Sequence, residues 1–264
     1  MNVTEKRILH VFSAGVAKDI AQEKVDEFNS RHNDIEARLI SAGSVELGKR
    51  IMSGERCDVF ITADDSILTN MMMPEFVDGY VIFAGNKIVV QAIEDAYISD
   101  DTWEKVLLDE NTTFKNKNPY LDPGGYRGVM ALLLADNYKP GLSEKLMNHK
   151  GHFGMEKDSK DTPRDCDFII TYYTNAIKSG KPFACLPEVM DLSNPKLAKT
   201  YEKVSFAVDD NNVIKASPIS HCITIPKAAQ FKKEAQEFVK SFLDTDFSKY
   251  HFSSYREEKG QKLY

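Results

Sequence analysis

Residues 121 to 127 read Leu121-Asp122-Pro123-Gly124-Gly125-Tyr126-Arg127, and an apolar run from Val129 to Leu134 follows. Pro123 favours the first position of a turn or helix, and the two glycines reach backbone angles that side chains forbid. The segment predicts a turn that opens a helix. The first N–H groups of such a helix have no intrahelical partners, and the helix dipole is positive there. With no side chain in front of them, these amides can bind an anion. A plain helix cap would use the same residues, so the weight comes from repetition. Three more small or polar turns stand at predicted strand-to-helix junctions: Ser13-Ala14-Gly15, Ala42-Gly43-Ser44 and Thr171-Tyr172. Their amides, with the hydroxyls of Ser13, Ser44, Thr171 and Tyr172, make a neutral donor set. Such a set suits a tetrahedral oxyanion, because amide dipoles hold the charge in a dry site without Arg or Lys.

These turns require elements to hold them. Ile8 to Phe12 is a β-type run broken by Ser13-Ala14-Gly15, after which Ile20, Val25 and Phe28 fall at helical spacing. Ile35 to Ile40 leads to helical Val45 to Met52, and Asp58 to Thr62 leads to a helix through Met71 to Met73. Strand, small turn and helix, three times over, predict a parallel α/β sheet whose ligands sit beyond the carboxyl ends of its strands. Tyr80 to Gln91 is too long for one ordinary strand and is interrupted at Gly85-Asn86, so it reads as a crossing between two lobes. Ser217 to His221 reads as the return. The expected lobes are 1–88 with 216–264, and 89–215. Each is a mainly parallel sheet flanked by helices, with a two-crossing hinge and a ligand cleft between the lobes. Lys139 to Asp165 reads as a loop with weak helical pieces. Ala228 to Leu243 reads as an amphipathic helix, and the tail from Asp244 as helical where it packs back.

Composition excludes several classes. A net charge of −6 over 264 residues argues against a nucleic-acid surface. No stretch reaches the roughly 20 apolar residues of a membrane helix. Met1 to Leu9 is polar and lacks the apolar core of a leader, which fits a cytosolic protein or a mature form. Cys57, Cys166, Cys185 and Cys222 are scattered, so buried free thiols are expected at Cys57 and Cys222, and the six His show no zinc-ligand spacing. Met52 and Met71 to Met73 read as core packing rather than a soft-metal box. Asp64-Asp65 reads as a helix cap, and no nucleophile–base pairing argues for an enzyme; no cofactor is expected.

Several motifs recur in order: Ala42-Gly43-Ser44-Val45, Cys57-Asp58-Val59 leading to Ala63-Asp64, Met72-Met73-Pro74-Glu75, Asn118-Pro119 followed by Leu121-Asp122-Pro123, and Gly125-Tyr126-Arg127. Ile177-Lys178-Ser179-Gly180, Leu186-Pro187 and Leu192-Ser193-Asn194-Pro195 come later. On these the chain resembles the periplasmic molybdate/tungstate-binding proteins of ABC transporters, especially the archaeal-type branch, from about residue 8 to 243. The resemblance implies the type II periplasmic-binding-protein fold. It also implies capture of molybdate or tungstate for a membrane permease by a periplasmic or cell-surface protein, expected as a monomer with no nucleic-acid partner. Sulfate, phosphate or an organic anion in the same fold, or a ligand-sensing module, are the alternatives.

The resemblance also implies roles. Ser44 matches a serine that donates to the oxyanion, Gly124 and Gly125 match backbone donors, and Tyr172 falls where the bacterial branch has a hydroxyl donor. Asp122 matches an aspartate that reaches the metal and helps make it six-coordinate. Two positions depart. Val16 replaces a usual serine, so the first turn must donate through Ser13 or a backbone amide. Thr171 replaces the second metal-binding glutamate, which favours a four-coordinate oxyanion or a different ligand. Asp122 then has two readings: an N-cap on its own backbone, or a metal ligand only if the metal is six-coordinate. Arg127 either pairs with a carboxylate across the cleft or is solvated, Tyr172 is a core residue or a donor, and His221 stands at the expected crossing.

Overall fold

The computed structural model describes residues 7–154, 157 and 166–263, so 155–156 and 158–165 of the expected loop lie outside the described residues, as does the polar start before Arg7. The first β-type run extends from Arg7 to Ala14 and pairs in parallel with Ile35–Ala42 and with Val59–Thr62. Helices Lys18–Arg31 and Ser44–Met52 follow the first two of these strands. In Lys18–Arg31 the periodic residues Ile20, Val25 and Phe28 are buried, and Phe28 meets Phe238 of the helix Lys232–Leu243 with ring centroids 6.2 Å apart. Burying one such ring removes enough apolar surface from water to contribute about 2 kcal/mol.

The full sheet has six strands, in the order Glu257–Gly260, Gly79–Gly85, Ser220–Thr224, Val59–Thr62, Arg7–Ala14, Ile35–Ala42. The second sheet has five: His152–Phe153, Phe114–Asn116, Phe168–Tyr172, Ile88–Ala92, Phe183–Cys185. The long segment expected as one crossing is thus two strands, one in each sheet. Both sheets are α/β and contain parallel pairs, but their mainly parallel character needs correction. Ile88–Ala92 runs antiparallel to both neighbours, and Ser220–Thr224 runs antiparallel to Val59–Thr62. Ile88–Ala92 pairs with Phe168–Tyr172 and Phe183–Cys185, which lie far along the chain from it, so no strand–helix–strand repeat connects it to a neighbour and imposes a parallel direction.

The tail is helical where it packs back, in the short turn Phe247–Tyr250 with Phe247 against Phe83 and Phe242, and differs from expectation only beyond it, in the edge strand Glu257–Gly260, antiparallel to Gly79–Ile82. A charged edge strand needs no apolar face, and its lysine and glutamates discourage further pairing. Ser205–Ala207 and Val213–Lys215 form a separate hairpin. By contacts the chain divides into two units. One is Met1–Ala84 with Ser220–Lys249 and Ser254–Tyr264, and the other is Gly85–Ile219 with Tyr250–Ser253. Gly85 and Ser253 exchange backbone hydrogen bonds of 3.0 and 3.1 Å within the second unit. Among the described residues no helix is long and apolar enough to cross a membrane.

Two buried carboxylates fix the chain. Asp58 is fully buried; its Oδ2 accepts from His10 N–H at 2.9 Å, and its Oδ1 accepts from the N–H groups of Gln230 and Phe231 at 2.8 and 3.2 Å. It ties the first strand to the approach of the last long helix. Asp191, 2 % exposed, accepts from Ser193 N–H at 2.9 Å beside Leu192, whose φ is 62°. Burial holds the Asp191 carboxyl above its ordinary range.

Asp58→Ala strands three backbone donors and is expected to cost about 3 kcal/mol in urea unfolding, with Asp58→Asn costing less. Asp191 gives a pH dependence. The folded state keeps its proton to higher pH than the unfolded chain does. Its contribution to stability is therefore complete below the unfolded pKa and is lost as pH rises through the raised folded value. Asp191→Asn is expected to flatten that decline when unfolding is measured from about pH 4 to about pH 7.

Candidate functional site

The parallel register places strand ends side by side. Ser13 pairs with Ser41 and Ile61, and Ala14 with Ala42, so the first and second turns and the end of Val59–Thr62 share one edge of the sheet. Ser13 is a buried strand residue whose hydroxyl donates to the Ala14 carbonyl at 3.1 Å. Ala14 is buried, and Gly15 opens a short 3-10 turn, Gly15–Ala17, that leads into Lys18–Arg31. A Cβ on Gly15 would meet nothing within 4 Å, so the backbone there is open.

The second turn is the better donor. Gly43 is the N-cap of Ser44–Met52, and no side chain caps that helix. Its first amides keep the positive end of the dipole uncovered. Ser44 is fully buried, and its Oγ accepts from Ala63 N–H at 3.0 Å. A hydroxyl that accepts in this way keeps its single hydrogen to donate elsewhere. Sequence reasoning missed Ala63, because an orienting backbone amide carries no residue signature.

The Gly-Gly turn differs from the expectation. Asp122 is the N-cap of Pro123–Leu133, with φ −131° and ψ 127°. Its Oδ1 accepts from Gly124 N–H at 2.7 Å, and its carbonyl accepts from Gly125 N–H at 2.9 Å. The two amides expected as bare donors are therefore engaged by the cap itself. The glycines answer to close packing instead. A Cβ on Gly124 would stand 2.9 Å from Asp122 Oδ1 and 3.2 Å from Tyr172 Cε2, and one on Gly125 would stand 2.5 Å from the Lys117 carbonyl oxygen. Asp122 Oδ2 also lies 3.5 Å from Lys117 Nζ, a partner that no periodicity announces.

Thr171 and Tyr172 are the last residues of a strand rather than a turn. They pair with Val89 and Ile88, as suits a β-branched and an aromatic residue. Consecutive strand residues face opposite ways. Tyr172, buried, lays its ring against Gly124, whereas Thr171 turns to Asn175, whose Nδ2 donates to its Oγ1 at 3.2 Å. The structure thus brings Tyr172 to Asp122 and Gly124 and turns Thr171 away. Arg127 is fully buried rather than solvated, and its guanidinium donates to the Ser217 carbonyl at 3.0 Å and hydroxyl at 2.9 Å. Asp64 caps the next turn by accepting from Ser66 N–H at 2.9 Å. Cys57 and Cys222 are buried, and burial pushes both thiols up.

A family model described as bacterial extracellular solute-binding protein matches residues 9–246. An uncharacterized solute-binding protein of Methanococcus aeolicus is 29% identical, covering 92% of this chain and 81% of its own length. The molybdate/tungstate-binding protein of Pyrococcus abyssi is 30% identical, covering 77% of this chain and 69% of its own. Among solved structures, the periplasmic molybdate-binding protein of Azotobacter vinelandii aligns with a TM-score of 0.67 at 17% identity, over 92% of this chain and 98% of that one, a likeness of fold. With a match of this extent, the chain belongs to the bacterial extracellular solute-binding protein family.

Proposed function

We propose that this chain is a binding protein rather than an enzyme, and that it captures molybdate or tungstate outside the cytoplasm for the permease of an ABC transporter. The observation that carries the reading is the uncapped start of Ser44–Met52. A buried hydroxyl held by Ala63 N–H stands there with its hydrogen to give. The open backbone at Gly15, on the same sheet edge, adds amide donors. Relatives named for molybdate and tungstate binding support the choice of ion. A site of donors alone favours an oxyanion without a proton, which at neutral pH describes molybdate, tungstate and sulfate and disfavours phosphate; the relatives' names favour the first two. Asp122, engaged through Oδ1 with Gly124 N–H and paired through Oδ2 with Lys117, supports the cap reading, and with it a four-coordinate ion.

The test is a titration of the chain with molybdate, tungstate, sulfate and phosphate, followed by melting temperature. At 100 times its dissociation constant a true ligand adds about 2.7 kcal/mol of stability. No response to any of the four would remove the reading. Ser44→Ala is expected to weaken oxyanion binding about tenfold or more, since a charge-assisted hydrogen bond is lost. Asp122→Asn keeps a capping oxygen, so affinity is expected to stay within about threefold. A much larger loss would put its carboxylate on the ion.

A further inference from the structure

Lys87 carries a charge that the chain leaves largely unanswered. It is half-buried at the start of the second unit, and among the described residues it forms no ion pair. Its Nζ donates to Cys185 Sγ at 3.3 Å and lies 4.8 Å from the centroid of the Tyr173 ring. A thiol sulfur is a weak acceptor, and an aromatic face compensates an ammonium only in part. Asp191, which feels the Lys87 charge, is itself buried and accepts from Ser193 N–H instead of pairing with the lysine. An ammonium with three donors, one of them spent on sulfur, is poised for an oxygen anion.

The space beside it is large enough to hold one. A cavity of about 470 Å³ opens at Lys87, Asn86, Tyr173, Ser193, His251 and Ser253, with Phe252 as an apolar wall. That volume falls within the range of small-molecule sites. All of these residues belong to the second unit. None belongs to the strand-end turns discussed above.

We propose that this cavity is a second ligand site, which takes a small organic monocarboxylate. The carboxylate pairs with Lys87, and the hydroxyls of Ser193 and Ser253 supply further donors. The organic body lies against Tyr173 and Phe252. One ammonium balances a monoanion, whereas a phosphate dianion would leave excess negative charge near the buried Asp191. Asn86 and Lys87 follow the passage into this unit at Gly85, and His251 to Ser253 belong to the short later segment that Gly85 holds by backbone hydrogen bonds. A ligand in the cavity therefore fastens two separate passes of the chain to each other. The site does not depend on the oxyanion reading.

The test uses the whole chain with benzoate and propionate as probes and the neutral benzamide as control. Titration calorimetry is expected to show saturable millimolar binding of at least one carboxylate and none of benzamide. Lys87→Met is expected to weaken binding about tenfold or more, and Lys87→Arg to hold it within about threefold. Ser44→Ala should leave it unchanged. Amide NMR shifts on carboxylate addition are expected at Asn86 to Ile88, Ser193 and His251 to Ser253, a readout that needs no variant to fold. The proposal is overturned if neither carboxylate saturates, if a folded Lys87→Met chain binds as tightly as the original, or if the shifts fall at Ser13 to Gly15 and Ser44 instead.

Discussion

Two parallel strands cannot be joined by a tight turn; the chain must travel back along the sheet before it can start again. Arg7–Ala14, Ile35–Ala42 and Val59–Thr62 all run the same way, so each ends on the same edge and each return path begins there. The helices Lys18–Arg31 and Ser44–Met52 are those return paths, and their amino ends lie on that edge. The register then sets Ser13 beside Ser41 and Ile61, and carries the Ala63 amide to the Ser44 hydroxyl. The donor arrangement at this edge is a consequence of strand direction before it is a property of any one side chain.

Two helix starts built from similar small residues do opposite things. At Ser44 the capping residue is Gly43, which has no side chain to offer, so the dipole end stays open. At Pro123 the capping residue is Asp122, whose carboxylate closes over the first amide. The difference is one side chain at one position. It decides whether the electrostatic potential of a helix end is spent within the chain or held for a solute.

The strands and strand-end turns at this edge could be read from the residues. The runs Ile8 to Phe12, Ile35 to Ile40 and Asp58 to Thr62, each followed by a small turn and a helical pattern, announced parallel strands because a strand–turn–helix repeat returns the chain to start each strand in the same direction. The antiparallel direction of Ile88–Ala92 was hidden, since nothing in its apolar residues records which way a neighbour runs. Glu257–Gly260 was hidden for a different reason, as an edge strand held by backbone bonds leaves no hydrophobic pattern. At the candidate site, Ser44 could be picked out by its turn, whereas the engagement of the Gly124 and Gly125 amides could not. Whether an N–H is bare depends on the Asp122 rotamer, and residue type does not fix it. Arg127 was misread for a related cause. A guanidinium reads as a surface group until Ser217, ninety residues later, supplies a carbonyl and a hydroxyl to bury it against.

The place of Ser220–Thr224 in the six-stranded sheet has a consequence for how the protein is made. That strand lies between Gly79–Gly85 and Val59–Thr62, although some 135 residues separate it from the former. Until it leaves the ribosome the first sheet is in two pieces, one of them the strand Gly79–Gly85 with no neighbour yet synthesised. The second unit is unbroken from Gly85 to Ile219 apart from its short later segment Tyr250–Ser253, and its five-stranded sheet lies wholly within that stretch, so it can gather most of its core while the first waits. Synthesis from one end thus completes the five-stranded sheet of the second unit before the six-stranded sheet of the first. The exposed edges of the unfinished sheet are a hazard that the nascent chain carries for most of its length.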